Sequence, residues 1–525
     1  MRRIEIAVTT LVVLVCGPLA AQQRRPPVAQ LKQEVTAEVV SLQKLTQEMT
    51  DMIFSFSELG FQEYWTSAYI TEVLKKEGFR IQMGVAGMPT GYVASWGSGK
   101  PVIGLMADID GLPETSQKPG MAYEAPLIPG GPGHGEGHNA GQALQVTAAI
   151  AVKRLMEKYR IPGELRVYPG VAEELVASRT YMVMAGLFTD VDVMLSAHVD
   201  NEFETGWGVR GSGLVSTMYT FHGRTAHGAG SPWAGRSALD AVELMNVGWN
   251  YRREHLRLQH RSHYVIPNGG SQPNVVPGEA AVWYYFRELD YDRIRQLHEL
   301  GTTMAKAAGM MTETTFEERV LGSAWPSHFN RPIARRQFEN IRTVGYPQWT
   351  AADVALARAA QKELGSDTIG LRTRVQADTA QQYEQGTGGG SDDIAEVSWN
   401  LPTVNLRYPS NIPGMTGHHW SSGIAMATPI AHKGASYGAR VQAMTAIDLL
   451  VDPALLQEAW RYFREVQTKD RKWASLIPAG TEPPTFLNAE RMARFRPQLE
   501  KLKYDPSRYP TYLEQLGIRY PTVKN

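Results

Sequence analysis

The sequence predicts an α/β domain interrupted by a smaller α+β unit, and three observations carry that prediction. Between about residues 40 and 207, amphipathic helices alternate with apolar strands, the pattern of a sheet covered by helices on both faces. From about Gly208 the strands shorten and alternate polar with apolar residues, as a half-buried sheet requires. The first texture then returns by about residue 385. The division that follows is a leader over 1–21, a first part of the larger domain over 22–207, an inserted unit over 208–325, a second part over 326–460, and a C-terminal segment over 461–525.

The leader comes first. Arg2 and Arg3 precede an apolar run over 6–16, then Gly17, Pro18 and the small pair Ala20-Ala21. That order is a secretory signal peptide with cleavage near Ala21, and predicts a secreted or periplasmic protein. The run is too short to cross a bilayer core of about 30 Å, so no membrane span is expected. Cys16, the one cysteine, is an alternative lipid-attachment residue, against which Val15 is large where a small residue is expected. If Cys16 leaves with the leader, no disulfide forms and no thiolate holds a metal.

Residues 22–35 are polar and contain proline, and read as a linker. Val39, Leu42, Leu45, Met49, Met52, Phe56 and Leu59 recur every three or four residues, an amphipathic helix closed by Gly60. A second helix over 65–77 stops at Gly78, and a strand follows at 102–106. A helix over 140–158 takes Asn139 as its N-cap, before strands at 165–168 and 193–197. The inserted unit holds strands at 216–221 and 280–287 around a helix over 238–250. Beyond it come a strand at 401–406 and a helix over 443–451. The Pro-, Tyr- and Arg-rich residues 461–525 suit a tail wrapped over the surface.

Hydrophobic residues make up 43% and charged residues 20% of the chain, which excludes a disordered protein. The 53 Lys and Arg balance the 53 Asp and Glu, so the basic face of a nucleic-acid binder is not expected. Chemistry-bearing residues gather instead where strands end, which is where open α/β sheets place their sites. Asp108 and Asp110 follow the first strand; His134, Glu136 and His138 stand just before a helix; Glu173-Glu174 and His198 follow the next two strands. Singly, a Glu pair is a solvated surface and a lone histidine a structural residue. Together they form a set of nitrogen and oxygen ligands suited to Zn²⁺ or Mn²⁺, with a spare carboxylate for a general base. The glycines around Glu136 and His138 allow bends that aim both side chains at one point. His418 and His419 come later in the same larger domain, while His227 lies in the inserted unit.

These clusters resemble the zinc aminoacylase and carboxypeptidase-type metallohydrolases, in the branch of auxin-conjugate hydrolases and aminobenzoyl-glutamate utilisation protein B. The matching stretches are ADIDGLP (107–113), GHGEGHNAG (133–141), VAEEL (171–175), SAHVD (196–200), HGRTAHGAGSPWAGRSALDAVELMN (222–246), PNVVPGEAAVWYYFR (273–287), GGGSDDIAEVSW (388–399) and GHHW (417–420), in the family's order. The resemblance implies a zinc-peptidase-like catalytic domain with a mixed sheet, interrupted by a dimerisation or lid domain. It implies two divalent ions, Zn or Mn, held by Glu136, His138, Glu174, His198 and His418, with alignment on Trp420 favouring His418 over His419. Glu173 falls where the family has its general base and Asp110 where an acid orients a ligand. His227 matches the histidine that reaches across the dimer to the substrate carbonyl, and Asn274 and Arg287 match residues that hold the substrate's carboxylate or backbone.

The implied activity is hydrolysis of an amide bond in an N-acyl or N-aroyl amino acid, aminobenzoyl-glutamate-like, or in a small peptide, by a homodimer. One departure stands out, since relatives place a cysteine ligand where this chain has Glu136. A carboxylate is a harder ligand and moves preference from Zn²⁺ towards Mn²⁺. Two other readings fit the fold: a secreted binding protein without catalysis, and one component of a hetero-oligomeric enzyme. Tyr284, Tyr285 and Phe286 read either as strand core or as an aromatic pocket.

Overall fold

The computed structural model describes residues 26–375, 377–384 and 389–524. The leader over 1–21, with Cys16, lies outside the described residues. The larger domain opens with helices α1 (Val28–Ser41), α2 (Gln43–Phe56) and α3 (Tyr64–Lys76), and strands β1 (Arg80–Met83), β2 (Tyr92–Ser98) and β3 (Val102–Asp108). Helix α4 (His138–Tyr159), β4 (Gly163–Gly170), α5 (Arg179–Met184), β5 (Val193–Asp200) and β6 (Gly206–Arg210) follow. The inserted unit contains β7 (Gly213–His222), α6 (Ala238–Arg252), β8 (Arg261–Asn268), β9 (Glu279–Glu288), α7 (Tyr291–Thr312) and β10 (Thr315–Ala324). The chain returns through β11 (Ser327–Phe329), α8 (Arg331–Val344), α9 (Ala351–Glu363), β12 (Gln381–Gln382), α10 (Ile394–Ser398), β13 (Thr403–Pro409), α11 (Pro429–Val451) and α12 (Pro453–Tyr462).

The central sheet has the order β1-β2-β4-β3-β5-β13 and is mixed. Strands β4, β3, β5 and β13 run parallel, while β1 and β2 add an antiparallel edge. Every residue of β3 is buried, as expected of a strand covered on both faces. Helices α1, α2, α4 and α11 pack together, with α4 on β3, β4 and β5 and α11 on β13. The inserted unit is an antiparallel sheet, β10-β7-β9-β8, with α6 and α7 packed on it. Its core settles the Tyr284–Phe286 alternative. Tyr284 and Phe286 are fully buried among Tyr219, Phe221 and Trp249, whereas Tyr285 and Arg287 face the other way.

Several expected boundaries differ. The supposed linker is helical from Val28, and the helix expected over 39–59 is two helices that meet at Leu42. Ser57, at φ 46°, ends α2 before Gly60 is reached. Asn139 is not the N-cap of α4; Gly137 is, and the Asn139 amide is buried, donating to the carbonyls of Thr50 and Met426. The helix expected over 443–451 is the last third of α11. The C-terminal segment does run back over the start of the chain. Arg496 pairs with Glu58 at 2.7 Å, Lys503 lies 3.4 Å from the Trp65 ring centre, and the Tyr512 amide donates to Asp51. Among the described residues, no helix is long and apolar enough to cross a membrane.

Candidate metal centre

Strands β3, β4 and β5 run parallel, so their C-terminal ends lie side by side and bring Asp108, the Glu173-Glu174 turn and His198 together. Glu136 and His138 enter from the start of α4. Between them Gly137 sits at φ 112°, and a Cβ there would lie 2.3 Å from Met426 Sδ, so the bend requires glycine. The Glu173-Glu174 turn is flanked by two left-handed non-glycine residues, Ala172 (φ 49°) and Val176 (φ 50°). A β-branched residue in that region is strained, and such strain persists only where surrounding contacts enforce it. Here Glu63, fully buried, accepts the Ala172 amide at 2.8 Å, and the Val176 carbonyl packs against Gly322 of β10.

Four overlapping groups of donors occur among the described residues. Two that share no residue are Asp108, His138 and His198 in one and Glu136, Glu174 and His418 in the other, while Glu173 joins His138 and Glu174 in a third and Asp392 and Asp393 in the fourth. Within each, ligand atoms lie within 4.8 Å of one another. Glu136 joins the two: one oxygen is 3.5 Å from His198 Nε2 and the other 3.1 Å from His418 Nε2. His418 Nε2 is also 3.4 Å from Glu174. His138 donates from Nδ1 to the Asp110 carbonyl at 3.1 Å, with Asp110 Oδ1 at 3.3 Å. That contact fixes the tautomer with the Nε2 lone pair facing the cluster, as in metal-binding histidines oriented by a carboxylate. The other Asp110 oxygen accepts the Glu174 amide at 3.1 Å, so one acid orients two prospective ligands.

The chemistry of this pocket fits cations. Among the described residues, His138 Nε2 and Glu174 Oε1 are buried without a hydrogen-bond partner. Burial, then the charges of Asp392 and Asp108, push the Glu173 carboxyl well above its usual range. Burial and the charge of Glu136 do the same to Glu174. Glu136 moves the other way, since its bond to His418 and the nearby His198 outweigh the cost of burial. Carboxylates crowded in this way, with unmet nitrogen and oxygen donors beside them, are relieved by divalent metal.

All five expected ligands therefore converge, with Glu173 3.7 Å from His138 Nε2 and Asp110 behind it. His419 does not join them; its ring bonds Ser421. His134 is buried against the Ile53 carbonyl, and burial pushes it down to about 3, so it stays neutral and structural. Arg287 lines the cavity of about 440 Å³ that Glu136, Glu173, Glu174, His198 and His418 also border. His227 and Asn274 are not brought there. They are exposed and adjoin each other, the Gly228 amide donating to the Asn274 carbonyl, at the end of β7 opposite the cavity. Ten residues of strand put them roughly 30 Å away.

Residues that sequence reading missed form the support. Arg179 is fully buried and pairs with Asp108 and Asp393; Asp392 sits 3.2 Å from it. Asp393 also accepts the Ser178 and Arg179 amides, which ties α10 to the Glu173-Glu174 turn. Asp108 lies inside the ADIDGLP stretch, where the family resemblance gives a role to Asp110 alone. No local signal marks Arg179.

Residues 210–310 match the peptidase dimerisation domain. One component of the p-aminobenzoyl-glutamate hydrolase of Escherichia coli K12 is 33% identical over 460 residues, covering 83% of this chain and 95% of the relative. The mouse Xaa-Arg dipeptidase is 24% identical over 419 residues, covering 78% and 87%. The crystal structure of an aminohydrolase from methicillin-resistant Staphylococcus aureus shares the fold, with a TM-score of 0.55 and 18% identity over 80% of this chain and all of that one.

Proposed function

Because the chain belongs to the M20 family of metal-dependent amide-bond hydrolases, we propose that it cleaves an N-acyl or N-aroyl amino acid, aminobenzoyl-glutamate-like, or a small peptide. The observation that carries the reading is the convergence of two donor groups with Glu173 at three adjacent strand ends. Two divalent ions, Zn or Mn, would be held by Glu136, His138, Glu174, His198 and His418, and when bound would acidify a water and polarise the substrate carbonyl. Glu173 takes the proton of the attacking water and delivers it to the leaving amine, the double duty of a positioned acid/base. Its buried, carboxylate-crowded setting raises its proton affinity, which suits that exchange.

Arg287 holds the substrate's carboxylate. Its Nη1 donates to Ser391 at 2.8 Å, and among the described residues no carboxylate pairs with it. A half-buried guanidinium without an anion suits a bidentate anionic guest. His227 and Asn274 serve the site of a second copy of this chain, which their distance from their own cavity supports. The protein is thus a homodimer, secreted or periplasmic through its leader. A second assembly, with a different chain as partner, is favoured by the E. coli relative, which is named as one of the subunits of its hydrolase. Light scattering on the purified chain separates the two: a dimer that hydrolyses alone supports the first.

The decisive variant is Glu173→Gln. Metal content by elemental analysis stays at the wild-type level, while turnover of N-aroyl amino acids falls at least about a hundredfold. Retained turnover refutes the assignment. Metal analysis of the same preparations decides between Zn and Mn, with the oxygen ligand Glu136 favouring Mn.

A further inference from the structure

Resting on the amide-hydrolase reading, we infer that Arg407 is the specificity residue for a second carboxylate, so that the preferred substrates are amides of a dicarboxylic amino acid. Arg407 lies on β13 in register with His198 on β5, one strand from a prospective metal ligand. Its side chain is 23% exposed and lines the same cavity as Arg287. The two guanidinium groups come from different walls, Arg407 from the catalytic sheet and Arg287 from the inserted sheet. A third arginine of the cavity, Arg210, is already committed: it pairs with Glu204 at 2.7 Å and lies over the Tyr383 ring.

Arg407 is only half committed. Nη1 donates to Asp200 at 3.1 Å, and no other hydrogen bond of its side chain is made among the described residues. Guanidinium carries five donors in a planar fork, so an edge remains for an anion. Two residues earlier, and so on the same face of the strand, Asn405 also lines the cavity, and among the described residues its side-chain amide makes no hydrogen bond. An amide N–H and a guanidinium edge together hold a carboxylate. With the first carboxylate on Arg287, a substrate with only one leaves this wall unmet, and unmet buried polar groups penalise the wrong ligand. The competing explanation is that Arg407 merely braces Asp200, whose carbonyl accepts the Ser410 and Asn411 amides.

The test uses the full-length, metal-loaded protein and a matched pair, N-(4-aminobenzoyl)-glutamate and its glutamine counterpart. Wild type should prefer the glutamate compound by about thirtyfold in kcat/KM. Arg407→Gln should lose most of that preference through KM while glutamine turnover stays within about threefold, and Arg407→Lys should restore part of it. Asp200→Asn, which removes the charge of the brace and leaves the guanidinium, should keep the preference. Equal wild-type rates on the two compounds, equal losses on both in Arg407→Gln, or loss of preference in Asp200→Asn would each overturn the inference. If wild type cleaves neither compound, amide hydrolysis of this class is what fails, and calorimetric binding of glutarate against glutaramate decides Arg407 separately. Tighter glutarate binding that vanishes in Arg407→Gln upholds it; indifference to the charge refutes it.

Discussion

Asp110 shows how much one buried side chain can govern. Beside its own main-chain carbonyl it faces His138 Nδ1 at 3.3 Å, and it holds the Glu174 amide without facing the cavity itself. Asp110→Asn should therefore weaken metal binding by about 10- to 100-fold, read by titration with a competing chelator, with secondary structure unchanged. Unaltered affinity would mean that His138 is held by the Asp110 carbonyl alone. Glu136, His138, Glu173, Glu174 and His198 were legible in the sequence because each stands beside a strand or helix signal. Arg179 was not, because its partners Asp108 and Asp393 lie 71 and 214 residues away and only the folded chain reveals that they share a charge. A buried arginine is stable here because its carboxylates surround it, and in sequence it looks like any surface arginine.

At the scale of elements, the parallel strands were legible because unbroken apolar runs have few other uses. The antiparallel strands β1 and β2 were not, since the edge strand β1 is mostly exposed and carries no alternation. The joint at Leu42 was hidden because the apolar period runs through it: Leu31, Val35 and Val39 are buried in α1, and Met49 and Ile53 in α2. The short strand β11 makes a testable claim of its own. Its His328 stands edge-on to Trp399 with a buried Nδ1 that has no partner among the described residues, and burial pushes the imidazole down to about 4. Below about pH 6.5 the unfolded chain takes up a proton that the folded one refuses until about pH 4. Stability is therefore fully present above pH 6.5 and declines through that window, by at most about 1.4 kcal/mol per pH unit. His328→Gln should flatten the decline in denaturant titrations at pH 7, 6 and 5; parallel slopes for the two proteins would contradict it.

Across the whole molecule, metal, protons and assembly are linked. Glu173 and Glu174 hold protons unusually tightly when no cation faces them, so loading the site expels those protons, and affinity rises with pH. Calorimetry of metal addition near pH 6, in buffers of different ionisation heat, should detect release of about one proton or more per chain. Release of none would argue that both carboxylates are already ionised. The contact between Glu136 and His418 spans 282 residues, and the last strand of the central sheet follows the whole inserted unit. Domains generally fold as units. The inserted sheet is contiguous in sequence between β7 and β10, so it can close on its own. The half-built catalytic sheet must wait, exposing the β5 edge where β13 will dock, and His418 arrives later still. Metal capture must therefore wait until His418 has joined the fold, so a chain truncated before it would keep the inserted unit and lack a complete site.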